Sequence, residues 1–138
     1  MFFKKDKDKN QTYDFTYIAA LFIHAAKIDQ NYSDQEEKII KEALLKIGTK
    51  KENLEEILKQ AKKIEEDSVQ ILDFTRKVKD MSEKKKIEII EILWRIIYSN
   101  KDADIYETNL MRRLAGLLYI DNKIMGDIKE KIKKENSK

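Results

Sequence analysis

Two short stretches of the chain concentrate the oxygen-bearing side chains that could hold a cation or exchange a proton. The first is Asp29-Gln30-Asn31-Tyr32-Ser33-Asp34-Gln35-Glu36, and the second, 71 residues later, is Asn100-Lys101-Asp102-Ala103-Asp104-Ile105-Tyr106-Glu107. In each, an Asp or Asn closes an apolar-periodic segment, a Ser or Asp follows four positions on, and a Glu comes three positions after that. Oxygens at alternate positions suit a hard cation. Asp29, Asn31, Glu36, Asn100, Asp102, Asp104 and Glu107 are therefore candidate ligands for Ca2+ or Mg2+. An EF-hand is ruled out, because it needs Gly at the sixth position and a bidentate Glu at the twelfth. Those positions hold Asp34 and Ile40 in the first loop, and Ile105 and Met111 in the second.

The same residues support two other readings. Ser33 with Glu36, and Asp104 with Glu107, have the spacing of a capping box, in which a side chain at the helix start and one three residues on satisfy each other's free backbone N–H. The loops could also be a docking surface for another protein. Other chemistry is scarce. His24 is the single histidine and cysteine is absent, which removes His-based triads, multi-histidine zinc sites, thiolate ligands and disulfides. His24 is expected at the rim of the helices near the loops, as a hydrogen-bonded polar residue rather than a general base. No P-loop, dinucleotide glycine motif, nucleophile elbow or zinc-helix motif occurs. An enzyme built on this chain would have to use its clustered carboxylates, with two acids in a concave, partly desolvated pocket.

The elements that must position these groups are helices. Proline is absent and glycine occurs only at 48, 116 and 126, so the turns that strands require have almost no punctuation. At 138 residues, with 40% charged and 41% apolar, one domain with a continuous core and well-covered solvated faces is expected. The net charge of +3 is small and interspersed with acid, which argues against nucleic acid as a partner. Residues 1–10 read as a solvated lead-in, 11–134 as the domain and 135–138 as a tail, with the basic end from 129 expected to fray. The amino terminus lacks the apolar core of a signal peptide, and no apolar run approaches about 18 residues. A cytoplasmic protein without membrane insertion is the expectation.

Seven helices follow from apolar spacing. The first carries Phe15, Ile18, Ala19, Phe22, Ile23 and Ala26; the second starts at Ser33, carries Ile39, Ile40, Ala43, Leu44 and Ile47, and stops at Gly48. Thr49 and Glu52 have the spacing of another capping box for the third, with Leu54, Ile57, Leu58, Ala61 and Ile64 inward. A short fourth helix after Ser68 carries Ile71, Leu72, Phe74, Thr75 and Val78. Ser82 caps a fifth, apolar on more than one side and marked by Ile87, Ile90, Leu93, Trp94 and Ile97, which makes it the expected centre of a bundle. Leu110, Met111, Leu114, Leu117 and Leu118 mark the sixth, and Asp121 caps a seventh with Ile124, Met125, Ile128 and Ile132. Lys84, Lys85 and Lys86 read as a solvated face.

The duplication reaches past the loops. At the same offset of 71, Ile18 matches Ile89, Phe22 matches Leu93, Ile23 matches Trp94, Ala26 matches Ile97, Ile39 matches Leu110, Ile40 matches Met111, Ala43 matches Leu114 and Ile47 matches Leu118. The expected fold is all-α: a compact bundle of about seven helices built from two pseudo-symmetric helical hairpins.

With these residues in view, the chain resembles the TerB-like tellurite-resistance family, a fold that also forms a domain in some DnaJ-like co-chaperones. The resemblance covers roughly residues 14 to 132. It rests on Ala25-Ala26-Lys27-Ile28-Asp29-Gln30-Asn31-Tyr32-Ser33-Asp34-Gln35-Glu36, Phe74-Thr75-Arg76, Leu93-Trp94-Arg95 with Tyr98-Ser99-Asn100, and the run from Tyr106 to Ala115. The family pattern has Asp-Gly at the head of each acidic loop; here Gln30 replaces the first glycine, and Asn100-Lys101 replaces both residues of the second pair. The resemblance implies an all-helical fold and a link to tellurite or general stress response, with metal association suggested for the family and no settled enzymatic reaction. The expected function is a non-catalytic module that works by binding other proteins.

Overall fold

The spacing of apolar residues is realised as seven α-helices joined by short connections. The computed structural model describes residues 2–28, 33–67, 72–99 and 105–136. The helices are α1 (Phe2–Lys27), α2 (Asp34–Lys46), α3 (Leu54–Asp67), α4 (Leu72–Lys79), α5 (Glu83–Tyr98), α6 (Ile105–Leu117) and α7 (Asn122–Asn136), with a single 3-10 turn at Lys51–Asn53 before α3. Among the described residues there is no strand.

Capping chemistry places the helix starts. Ser33 precedes α2 in an extended conformation, and its Oγ accepts from the Glu36 N–H while the Glu36 carboxylate accepts from the Ser33 N–H, the reciprocal box expected from the sequence. Ser82 Oγ accepts from Lys85 N–H at the head of α5, and Asp121 Oδ1 accepts from Lys123 N–H at the head of α7. Thr49 departs from expectation. It does not cap α3, because the residue before the 3-10 turn is Lys50, which makes no side-chain cap. Instead the Thr49 N–H reaches back to Leu44 O, closing the end of α2, and its buried Oγ1 finds no partner among the described residues.

Two helices share the centre. The sequence pointed to α5, and its Ile89, Ile90, Ile92, Leu93, Trp94, Ile96, Ile97 and Tyr98 are all buried. In α1, Ile18, Ala19, Ala20, Leu21, Phe22 and Ile23 are buried in unbroken succession, so this stretch of the helix is also covered all round. It packs against α2, α3, α4 and α5. The alanines at 19, 20, 25 and 26 carry little hydropathy, but their small side chains let neighbouring helices approach the α1 backbone closely, which is why apolar size alone pointed elsewhere. The α1 helix also begins at Phe2, so the segment expected as a lead-in is helical in backbone. At the other end, α7 does not fray from residue 129. Ile132 is wholly buried, and Lys131 and Glu135 pair with Glu91 and Arg95 of α5.

The internal repeat is larger than a hairpin. Continuing at the offset of 71, Leu54 pairs with Met125, Ile57 with Ile128 and Ala61 with Ile132, and all six are buried. The α1–α3 packing thus recurs as α5–α7. Each unit is three helices, and α4, which packs on both α1 and α6, belongs to neither. The match extends to backbone hydrogen bonds at the ends of α2 and α6. Thr49 N–H to Leu44 O (2.9 Å) corresponds to Ile120 N–H to Ala115 O (2.9 Å), and Gly48 N–H to Leu45 O (3.3 Å) to Tyr119 N–H to Gly116 O (3.4 Å). Both ends are closed by a left-handed residue, Gly48 at φ 121° and Tyr119 at φ 57°.

Candidate functional site

Of the seven candidate ligands, Asp29, Asn31, Asn100, Asp102 and Asp104 lie outside the described residues. Glu36 and Glu107 are described, and they occupy matching places in the two units. Both are buried, at 2% and 6% exposure. Burial of a carboxylate requires that its lone pairs be used. Glu36 Oε1 accepts from both the N–H and the Oγ of Ser33, each at 3.0 Å. Its first commitment is therefore to hold the start of α2, and a loop cation would share a carboxylate already engaged there. Among the described residues, no group of three or more His, Cys, Asp or Glu side chains is gathered as a metal site.

His24 sits where expected, at the rim. Its Nδ1 lies 3.4 Å from Glu65 Oε1, its ring lies 5.6 Å from that of Phe74, and the other Glu65 oxygen accepts from Lys27 Nζ at 2.9 Å. Glu65 therefore ties α3 to the last turn of α1 through two donors. The repeat counterpart of His24 is Arg95, which approaches Glu135 of α7 at 3.5 Å. The two polar residues do the same job, pinning the third helix of each unit to the first. Sequence reasoning placed both but did not find Glu65 or Glu135. They belong to the third-helix segment that the hairpin description left out.

A cleft of about 300 Å3 opens beside the middle of α1. Phe15 and Ile18 of α1, Ile47 at the end of α2, and Met81 and Ile89 beside and within α5 give it an apolar lining, and Ser82, Lys85 and Glu88 supply its polar groups. It lies where the two units meet, since Ile18 and Ile89 are counterparts at the offset of 71. Among the described residues Glu88 is the one carboxylate in the lining, and Ser82 Oγ is spent on the cap of α5.

A family model described as Tellurite resistance protein TerB matches residues 16–130. The chain belongs to the TerB family. No curated protein and no solved structure matches it. The matched span contains both acidic loops, the cleft apart from Phe15, and all of α2 to α6. No described helix of this TerB protein is long and apolar enough to cross a membrane.

The feature of this TerB chain that sequence reasoning missed is the end of α6. Tyr119 is 73% exposed, and Lys79 Nζ and Lys86 Nζ lie 5.3 and 6.0 Å from its ring centre. Lys86 is half-buried, and it donates to Leu118 O at 3.0 Å, so it is not the solvated lysine expected. The signal was present in the repeat. One residue beyond the pair Ile47 and Leu118, the same offset aligns Gly48 with Tyr119, and Phe15 with Lys86.

Proposed function

We propose that this TerB-family protein is a non-catalytic module of tellurite and stress response that works by holding another protein, and that its acidic loops add a weak Ca2+ or Mg2+ site. The observation that carries the reading is the cleft between the two units. Its floor is apolar and, among the described residues, its lining holds one carboxylate, where a mechanism based on acids needs two in the same desolvated pocket. Such a lining suits the insertion of an apolar side chain from a partner. The half-buried Met81 at its edge offers a test that spares the core. In cells that depend on this protein for tellurite tolerance, Met81→Glu is expected to abolish tolerance while leaving the thermal midpoint within a few degrees of the parent. Full tolerance in that variant would overturn the reading.

For the loops, Asp29, Asn31, Asn100, Asp102 and Asp104 supply the oxygens, with Glu36 and Glu107 at the buried base of each. Oxygen ligands and a lone histidine favour Ca2+ over Zn2+. A cation bound only to the folded state raises the melting midpoint by mass action. Melts in EDTA, Ca2+, Mg2+ and Zn2+ are expected to show a small rise with Ca2+, reduced more by Asp29→Asn than by Glu107→Gln, because at the head of the second loop Asn100 puts an amide where the first has the carboxylate of Asp29. No rise in the parent, or a rise in the variants equal to that of the parent, would leave the loops as caps or docking surface.

A further inference from the structure

We propose that Tyr119, with Lys79 and Lys86 beside its ring, is the centre of a docking surface for an acidic segment of a partner protein. Three observations on this face support it.

The first is conformational. A residue with a Cβ is disfavoured at positive φ, and the left-handed stop of a helix is the usual place for glycine. The first unit places Gly48 there; the second, with the same backbone hydrogen bonds, places Tyr119 at φ 57°. The fold is satisfied by glycine, so the tyrosine is retained against backbone preference, and its ring contributes little burial in return because it is 73% exposed. Strain kept at an exposed position points to function rather than to packing.

The second is electrostatic. Residues 76–86 contain six basic and two acidic residues, a net +4, so this segment is locally positive. Arg76, Lys79, Lys84 and Lys85 are exposed, and Lys86 has donor capacity beyond its bond to Leu118 O. A positive patch of this kind steers and orients a partner of opposite charge.

The third is the chemistry of the ring. Tyrosine offers a rigid apolar face together with a polar tip, and it is enriched where proteins meet. Lys79 and Lys86 place their ammonium groups over the ring, which sets positive charge beside an exposed aromatic and matches a segment carrying carboxylates next to an apolar side chain. Asp80 and Glu83 interrupt the basic run and are themselves exposed. Discrete carboxylates can be placed between such acids, whereas a continuous phosphate backbone meets them at every step. An acidic protein segment is therefore favoured over nucleic acid.

The proposal rests on the partner-binding reading but not on the cleft, and Tyr119→Gly separates the two because Tyr119 is not among the residues that line the cleft. The probe is a short fluorescein-labelled peptide of Glu-Glu-Leu repeats, compared with its Lys-Lys-Leu counterpart and with a short DNA duplex, at low and moderate salt. The acidic peptide is expected to bind the full-length protein, weakening as salt rises. Tyr119→Gly is expected to weaken it about tenfold, as loss of a central aromatic anchor does, and yet to raise the thermal midpoint. Lys79→Glu should weaken it by a similar factor with the midpoint unchanged. A surface with only a structural role would lose stability and binding together, whereas here they move in opposite directions in Tyr119→Gly. Unchanged peptide affinity in Tyr119→Gly, absence of binding in the parent, or preferential binding of the duplex would each overturn the proposal.

Discussion

The two three-helix units solve the same folding problem with different residues at the same places. At the end of α2, Gly48 turns the chain and Phe15 of α1 covers it, with Phe15 Cζ 3.4 Å from where a Cβ would stand. At the end of α6, Tyr119 turns the chain, and Lys86, the counterpart of Phe15, bonds the carbonyl beside it. The aromatic ring has moved from the covering helix to the turn, and from the interior to the surface. The first ring thereby joins the lining of the cleft between the units, and the second stands exposed beside two lysines. The backbone hydrogen bonds do not register the exchange, so a repeat can keep its fold while its two surfaces diverge.

The deepest pair breaks or sharpens this comparison most. Ile23 and Trp94 are counterparts and both are buried, at 0% and 2% exposure. Trp94 stacks on Tyr98 with ring centres 5.8 Å apart, and its Nε1 has no partner among the described residues. Trp94→Ala is expected to cost about 3–5 kcal/mol in urea unfolding, and Ile23→Ala about 2–5 kcal/mol. A loss below about 1 kcal/mol at either position would mean that the two units are not held by equivalent cores.

Next come the caps. Ser33→Ala removes the acceptor for Glu36 N–H and the hydroxyl that donates to its buried carboxylate, for an expected loss of about 1–2 kcal/mol. Ser82→Ala, at an exposed cap with a single bond, is expected to lose less, about 0.5–1 kcal/mol. Equal losses would show that burial of Glu36 adds nothing to the first cap.

Exchanging the stop residues tests the central difference directly. Gly48→Ala places a Cβ at φ 121° and against Phe15, and it should destabilise by about 1 kcal/mol or more. Tyr119→Gly should stabilise by up to about 1 kcal/mol, the usual cost of a left-handed conformation. Thermal melts of the pair are expected to shift in opposite directions, and a shift of the same sign would remove the contrast between the two turns.

The smallest expected effect separates the ion pairs. Lys27→Met loses a 2.9 Å contact to a Glu65 side chain that is 10% exposed, while Arg95→Met loses a 3.5 Å contact to a Glu135 side chain that is 46% exposed. Both losses should be at most about 1 kcal/mol, with Lys27→Met the larger. High salt should abolish the Arg95 effect before the Lys27 effect.

The amino-acid sequence by itself determined the helices, because apolar spacing and the absence of proline leave no other way to bury Ile, Leu and Phe at every third and fourth position. It also determined the caps at Ser33, Ser82 and Asp121 and the stop at Gly48, since these depend on atoms within a few residues of one another. It revealed the repeat through the offset of 71, and with it the burial of Ile23 and Trp94, whereas the burial of Glu36 and Glu107 came with the packing. Tertiary structure decided what depends on neighbours distant in sequence. That residues 18–23 of α1 are enclosed on every side follows from four helices packing on the small alanines of α1, which hydropathy cannot signal. That Thr49 closes α2 rather than opening α3 depends on which backbone carbonyl its N–H can reach once the chain has turned. That Lys86 meets Leu118 and Tyr119 depends on α5 and the end of α6 coming together across 32 residues of chain, a proximity fixed by how the two units pack and by no local pattern.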